Sequence, residues 1–195
     1  MHASWLPMDA MSMHIQQLEH GFSDPDSARL ARAWLRWRAD RLLPQRSDLE
    51  LRDIAPILGR MALFELRGPD EVIIRLAGTT LRDIVDFELT GRNFRDITAP
   101  ADWPERYRRL STMARHPCAG FMSYRDVQPS GRIVLLEVIT LPLDSDQPGK
   151  PPQLISCTSQ LGRSFELPSR DQRRAIPLAV SFTFVDIGAG LPDAA

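Results

Sequence analysis

From Asp24 onward the apolar residues keep first a helical and then a strand-like spacing. At about 100° per residue, Leu30, Trp34 and Trp37 form one apolar strip, Ala31, Leu35 and Leu42 an adjoining one, and Arg29, Arg32 and Arg36 take the opposite side. The spacing predicts a helix between Asp24 and Pro44. Asp24 accepts its first free amides, Pro25 suits the first helical position and Pro44 stops it. Two adjoining strips are more apolar surface than one neighbour covers, so the helix is expected to meet both its own domain and a second element such as a partner subunit. Residues 1–24 hold four of the seven methionines and little periodicity, and read as a mobile leader or a partial helix. Arg46–Gly59 reads as a linker with a short helical turn broken at Pro56.

The period changes at Arg60. Met61–Arg67 and Glu71–Ala77, separated by Gly68, Pro69 and Asp70, predict an antiparallel hairpin in which Val72, Ile74 and Leu76 share one face. Gly78–Gly91 reads as short helical turns, with Leu81, Ile84 and Val85 inward and Gly91 as terminator. Asp102 and Glu105 have capping-box spacing at the start of a longer helix. That helix turns Trp103, Tyr107, Leu110 and Ala114 inward, turns Arg106, Arg108 and Arg109 to water, and ends at His116 and Pro117. Strand-like runs follow at Ala119–Val127, Arg132–Leu143 and Gln153–Leu161, punctuated by Pro129, Ser130 and Gly131 and then by Pro148, Gly149, Pro151 and Pro152. Residues 163–174 are polar and arginine-rich, and 178–187 reads as an additional strand pairing at an edge or with a partner.

This order lacks the crossover spacing of a parallel doubly wound sheet. It predicts an α+β fold, a five-stranded antiparallel sheet with helices gathered on one face. The run from Ile133 to Ile139 is apolar on both pleat faces except at Glu137, so its strand is covered on both sides. The second cover is expected to be the helix carrying Trp34 and Trp37. The chain thus divides into a leader at 1–24, a helix and linker at 25–59, a core at 60–162 and a C-terminal extension at 163–195.

Composition narrows the chemistry. The 24 basic and 25 acidic side chains nearly balance, and 43 % hydrophobic residues are enough for a core. No stretch approaches the roughly 20 apolar residues of a membrane helix, and the N-terminus lacks a secretory pattern, so a cytoplasmic protein without membrane insertion is expected. Cys118 and Cys157 are read as reduced, and the histidines, His2, His14, His20 and His116, offer no metal-ligand spacing. No nucleophile elbow, phosphate loop or metal cluster is visible, so no enzyme and no catalytic residues are expected. The near-neutral charge and the lack of a helix-turn-helix pattern argue against nucleic acid.

Several phrases resemble a PAS domain, in particular the proteobacterial PAS-like family once catalogued as a domain of unknown function. They are the Trp-Arg segment from Ala33 to Leu66, the stretch from Ile73 to Arg92 containing Ala77-Gly78-Thr79 and Leu89-Thr90-Gly91, and the run from Val134 to Leu143. Where the family pattern has Gly-Arg-Asp before Leu-Thr-Gly, this chain has Asp86, Phe87 and Glu88. The resemblance implies a bacterial sensory or interaction module that signals and often dimerises through an N-terminal helix. It implies no catalysis and fixes no cofactor, since PAS domains are known with haem, flavin, small metabolites or nothing.

Candidate pocket residues between sheet and helices are Phe64, Ile74, Leu81, Val85, Phe94, Trp103, Tyr107, Phe121, Leu136 and Val138, unless they simply pack one another. Leu30, Trp34, Leu35, Trp37 and Leu42 are the candidate dimer and signalling contact. His116 reads as a cap on the last helical carbonyls rather than a haem ligand, and Cys118 lacks the Asn-Cys-Arg context of flavin photochemistry, so haem and flavin are both disfavoured. The expectation is a stand-alone sensory or regulatory module that binds a small ligand or a protein and signals to a homodimer partner or an unidentified downstream protein. The alternatives are a structural protein-interaction domain with a filled core and no ligand and, behind that, a nucleic-acid-associated regulator or an enzyme.

Overall fold

The structure is a computed structural model describing residues 24–127, 132–145, 147–166, 175–176 and 178–192, without the side chains of 125–127, 132–134 and 162–166. The expected leader, the turn at Pro129–Gly131 and most of the polar stretch at 163–174 lie outside the described residues.

Helix α1 (Pro25–Arg38) starts as its sequence predicts, with the Asp26 amide donating to Asp24 Oδ1 at 2.8 Å. It ends six residues before Pro44. Ala39 takes a φ of +50°, and the Arg41 guanidinium folds back to donate to the carbonyls of Trp37 (3.3 Å) and Arg38 (3.4 Å). The early exit lets the Pro44 carbonyl accept from the Asp144 amide at 2.9 Å, and it leaves Leu42 outside the helix and 40 % exposed.

The expected linker is ordered structure: a 3-10 turn at Arg46–Asp48, a single helical turn α2 (Leu51–Ile54) and a 3-10 helix over Ala55–Arg60 that starts around Pro56. It buries Ile54 and Ile57 against α1, because its apolar residues face the cluster that α1 makes with the sheet.

Strands β1 (Met61–Gly68) and β2 (Glu71–Ala77) form the expected hairpin, followed by α3 (Thr79–Val85), a 3-10 turn at Phe94–Ile97 and α4 (Trp103–Arg115). Strands β3 (Cys118–Val127), β4 (Arg132–Leu143), β5 (Gln153–Glu166) and β6 (Ser181–Asp186) complete one antiparallel sheet of order β2-β1-β5-β4-β3-β6. The C-terminal run is thus a sixth strand on the free edge of β3. Helices α3 and α4 cover the front face and α1 covers the back.

Three local expectations fail for identifiable reasons. A β-bulge between Leu63 and Phe64 pairs Leu76 with Leu63 while Ile74 pairs with Phe64, so Leu76 leaves the face of Val72 and Ile74 and is 45 % exposed. Helix α3 is terminated by Asp86 in the left-handed conformation (φ 64°), not by Gly91. Asp102 makes no side-chain cap on α4, since its backbone is already helical and its amide donates to Ala99, while Glu105 turns forward to Arg108 and Arg109.

The Ala77-Gly78-Thr79 phrase has a steric cause: a Cβ on Gly78 would lie 2.3 Å from the backbone of Leu58 and Gly59. Only glycine lets the 3-10 helix before β1 cross the end of β2 so closely.

Candidate functional site

Alternation along β4 and β5 sorts residues between the two faces. Ile139, Leu141, Ile155 and Cys157 point back to α1, while Leu136, Val138, Thr140, Ser156 and Thr158 point forward. The back is filled. Trp34 is fully buried and its Nε1–H donates to the Pro142 carbonyl at 2.8 Å, Trp37 donates to Asp53 Oδ2 at 3.1 Å, and Arg38 donates to the Ile187 carbonyl at 2.8 Å.

The front is hollow. A cavity of about 140 Å³ lies between the sheet, α3, α4 and the C-terminal segment. That is close to the roughly 150 Å³ of an apolar cavity that takes benzene, and it lies below the roughly 300–1,000 Å³ of drug-sized pockets. It has room for one ring.

Aromatic and aliphatic side chains supply most of its lining. Phe64 and Phe94 stack at 5.1 Å, and Ile74, Leu81, Val85, Leu136 and Val138 complete the set that the sequence also singles out. The other three pocket candidates stand elsewhere. Trp103 is buried below the hairpin turn, donating from Nε1 to the Pro69 carbonyl at 2.9 Å, and Tyr107 packs beside it with ring centroids 6.0 Å apart. Phe121 is in register with Ile139, whose side chain belongs to the back cluster, so its pleat position is on the back face.

Two arginines expected at the wet side of α4 line the cavity instead. Arg106 is 4 % exposed; its guanidinium lies 4.7 Å from the Phe94 centroid and donates to the Ile176 carbonyl at 3.1 Å. Arg109 lies 4.6 Å from the Phe182 centroid and donates to Glu105 at 2.6 Å. The hydrogen bond from Arg108, joined by the one from Arg109, overcomes partial burial and holds the Glu105 carboxyl at a pKa of about 2. These contacts tie α4 to Ile176 and Phe182, which line the cavity from the C-terminal side.

The signal for Arg106 was present in the sequence. Trp103, Arg106, Leu110 and Met113 recur at i, i+3, i+7 and i+10, a helical face as regular as the one through Tyr107 and Ala114, and arginine's polarity masks it.

Across the floor, β-register sets Thr140 opposite Ser156 and Val138 opposite Thr158. Thr140, Ser156 and Thr158 all line the cavity, and sequence reading missed them because it searched for apolar positions.

Neither cysteine lines the cavity. Burial, with Asp186 nearby, pushes the Cys118 thiol up to about 12; burial, with Asp26 nearby, does the same for Cys157 under α1. His116 does not cap the last carbonyls of α4 with its ring. Its backbone N–H bonds to the Thr112 carbonyl, and its Nε2 sits 3.0 Å from the Gly190 carbonyl. Among the described residues no group of three His, Cys, Asp or Glu side chains could hold a metal ion, and no helix is long and apolar enough to cross a membrane.

Of the residues expected at a dimer contact, Leu30, Trp34 and Trp37 are buried in the chain's own core, Leu35 is half-buried against it and Leu42 is exposed. The second neighbour that the two apolar strips require is supplied within the chain, by the sheet on one side and the Leu51–Arg60 segment on the other.

The chain is similar to several solved structures. A fungal LOV-domain photoreceptor is 20 % identical, the match covering 52 % of this chain and 72 % of that one at a TM-score of 0.39. The LOV protein of Rhodobacter sphaeroides is 13 % identical over 55 % of this chain and 64 % of its own length, with a TM-score of 0.41. For the PAS domain of Bordetella pertussis BvgS the figures are 17 %, 56 %, 83 % and 0.42. No curated protein matches. The profile of the family described as PAS domain matches residues 23–158, from the start of α1 into β5. The chain belongs to the PAS domain family.

Proposed function

We propose that this PAS domain is a sensory module, acting in the cytoplasm and without catalysis of its own, which binds a small ligand in the front cavity and reports occupancy through α1. The observation that carries the reading is the sharing of strands between the two faces. Val138 and Thr140 face the cavity, while Ile139 and Leu141, their neighbours on β4, pack against α1. A shift of β4 or β5 that accommodates a ligand therefore moves the seat of α1.

Such a response needs a ligand that binds one arrangement better than the other, because equal affinity shifts nothing. A second copy of the chain or another protein then reads α1 from outside, where Arg29, Arg32 and Arg36 are exposed. Trp34 and Trp37 act as the internal coupling in this reading, not as the docking surface.

The competing reading is a structural interaction domain with no ligand; a front core hollow by about 140 Å³ weighs against it. Melting the purified full chain, stripped of small molecules by refolding, with and without a solvent extract of the cells that make it separates the two. A bound metabolite at about 100 times its Kd adds roughly 2.7 kcal/mol, a rise of about 5–10 °C for a domain of this size. An unchanged melting temperature contradicts the sensory reading.

A further inference from the structure

Thr140, Ser156 and Thr158 line the cavity floor, two of them directly paired across β4 and β5 and the third two residues along β5. Thr140 and Ser156 are each 3 % exposed, yet among the described residues none of the three hydroxyls has a hydrogen-bond partner in the protein. Their oxygens are not sealed in the core either, which leaves the cavity itself as what they open onto. Packing does not account for this. Valine or alanine would fill the same floor without the cost of a buried hydroxyl that no protein group satisfies.

The arginines of the roof are engaged otherwise. Arg109 is bound to Glu105 and stacked on Phe182, and Arg106 is stacked on Phe94 and bonded to the Ile176 carbonyl. They hold α4 to the C-terminal wall, whereas the hydroxyl cluster has no such structural task.

We infer that the floor hydroxyls are the polar end of the ligand site, and that the ligand is an uncharged single-ring compound carrying one hydroxyl or carbonyl group. The inference rests on the sensory reading above and names the chemical class that the cavity takes. Each floor hydroxyl can donate and accept, so the cluster meets an alcohol, phenol or ketone oxygen equally well. The cluster itself carries no charge, and of the two arginines that line the cavity Arg109 is paired with Glu105 and Arg106 is bonded to the Ile176 carbonyl and stacked on Phe94, so the floor offers nothing to offset the desolvation of a carboxylate or ammonium that enters it. The volume of about 140 Å³ sets the size at one ring, lying against Phe64 and Phe94.

Toluene, benzyl alcohol and benzoate, titrated against the full chain and against the shape-preserving double variant Thr140→Val/Ser156→Ala, test this. Benzyl alcohol is expected to bind at least about tenfold more tightly than toluene and than benzoate, since the floor is left unpaired by toluene. In the double variant that advantage falls to within about threefold while toluene binding persists, and the ligand-free variant melts no lower than the parent. Should the variant fail to fold, Thr158→Val alone must reduce the alcohol's advantage without weakening toluene. Equal binding of toluene and benzyl alcohol, or an advantage that survives the substitutions, overturns this inference and leaves the sensory reading intact, with water as the occupant of the floor. Benzoate binding tightest assigns the polar end to the roof arginines and overturns it too. Binding of none of the three contradicts the size assignment and with it this inference; the extract experiment decides the sensory reading separately.

Discussion

The two faces of the sheet are made by the same strands and packed to different ends. Behind it, two tryptophans, Ile54 and Ile57 close around Leu141 and Ile155 with each indole N–H satisfied, and in front the side chains stop short of one another and leave a cavity. In the proposed reading the back is the coupling and the front the receptacle. Core side chains normally fill space to crystal-like density, and the front cavity departs from that where the cluster behind the sheet is closely packed.

Substitutions that treat the faces differently break or sharpen this contrast. The largest effect is expected from Trp34→Ala, which removes a fully buried indole and its bond to Pro142 and should cost about 3–5 kcal/mol in urea unfolding. Survival of that variant at near-parent stability would mean that α1 is not part of the core.

Next come two alanine enlargements of opposite sign. Ala33→Leu, fully buried behind the sheet, should cost about 1–3 kcal/mol by overpacking. Ala62→Leu, which projects into the cavity, should be neutral or gain about 0.5–2 kcal/mol while weakening ligand binding. Equal losses at the two sites would remove the distinction between the faces.

Alkylation is a smaller probe. With both thiols near 12 and buried, Cys118 and Cys157 should react with iodoacetamide at pH 8 only as fast as the protein opens. Rapid native labelling of Cys157 would place α1 off the sheet for part of the time.

The smallest effect is one of pH. The folded-state value of Glu105, about 2, lies below its ordinary 4.5, so the stability from its bonds to Arg108 and Arg109 is complete above about pH 4.5 and is lost as pH falls to about 2. Glu105→Gln should remove that part of the acid sensitivity, at most about 1 kcal/mol because the carboxylate is partly exposed. It should also loosen Arg109 and the wall that Phe182 forms.

Much of the architecture was legible because it follows from period and punctuation. The Asp24–Pro25 start and the hairpin at Gly68–Asp70 each rest on one local rule, and the structure has both; of the run Ile133–Ile139, expected to be covered on both sides, Leu136, Val138 and Ile139 are buried while Leu135 is 43 % exposed. The α1 terminus and the flip of Leu76 were not legible, since one is fixed by Asp144 far along the chain and the other by a bulge that no composition marks; Glu105 is decided locally, by Arg108 and Arg109 one turn ahead, which compete with the backward cap.

At the site, sequence reasoning found the apolar walls and missed the polar parts. Phe64, Leu81 and Val138 announce themselves by spacing, but Arg106 reads as solvated until Phe94 and Ile176 are seen around it, and Thr140 and Ser156 read as ordinary strand residues until register sets them face to face. Trp103 and Tyr107 illustrate the converse. They occupy the predicted face of α4 but lie under the hairpin turn, beyond the end of the cavity.

Coupling between the faces is the claim on which the rest depends, and amide hydrogen exchange with and without saturating benzyl alcohol addresses it most directly. Slower exchange in β4 and β5 together with slower exchange in α1, from Pro25 to Arg38, is the result this account predicts. Protection confined to the cavity lining, with α1 exchanging at the ligand-free rate, would contradict it.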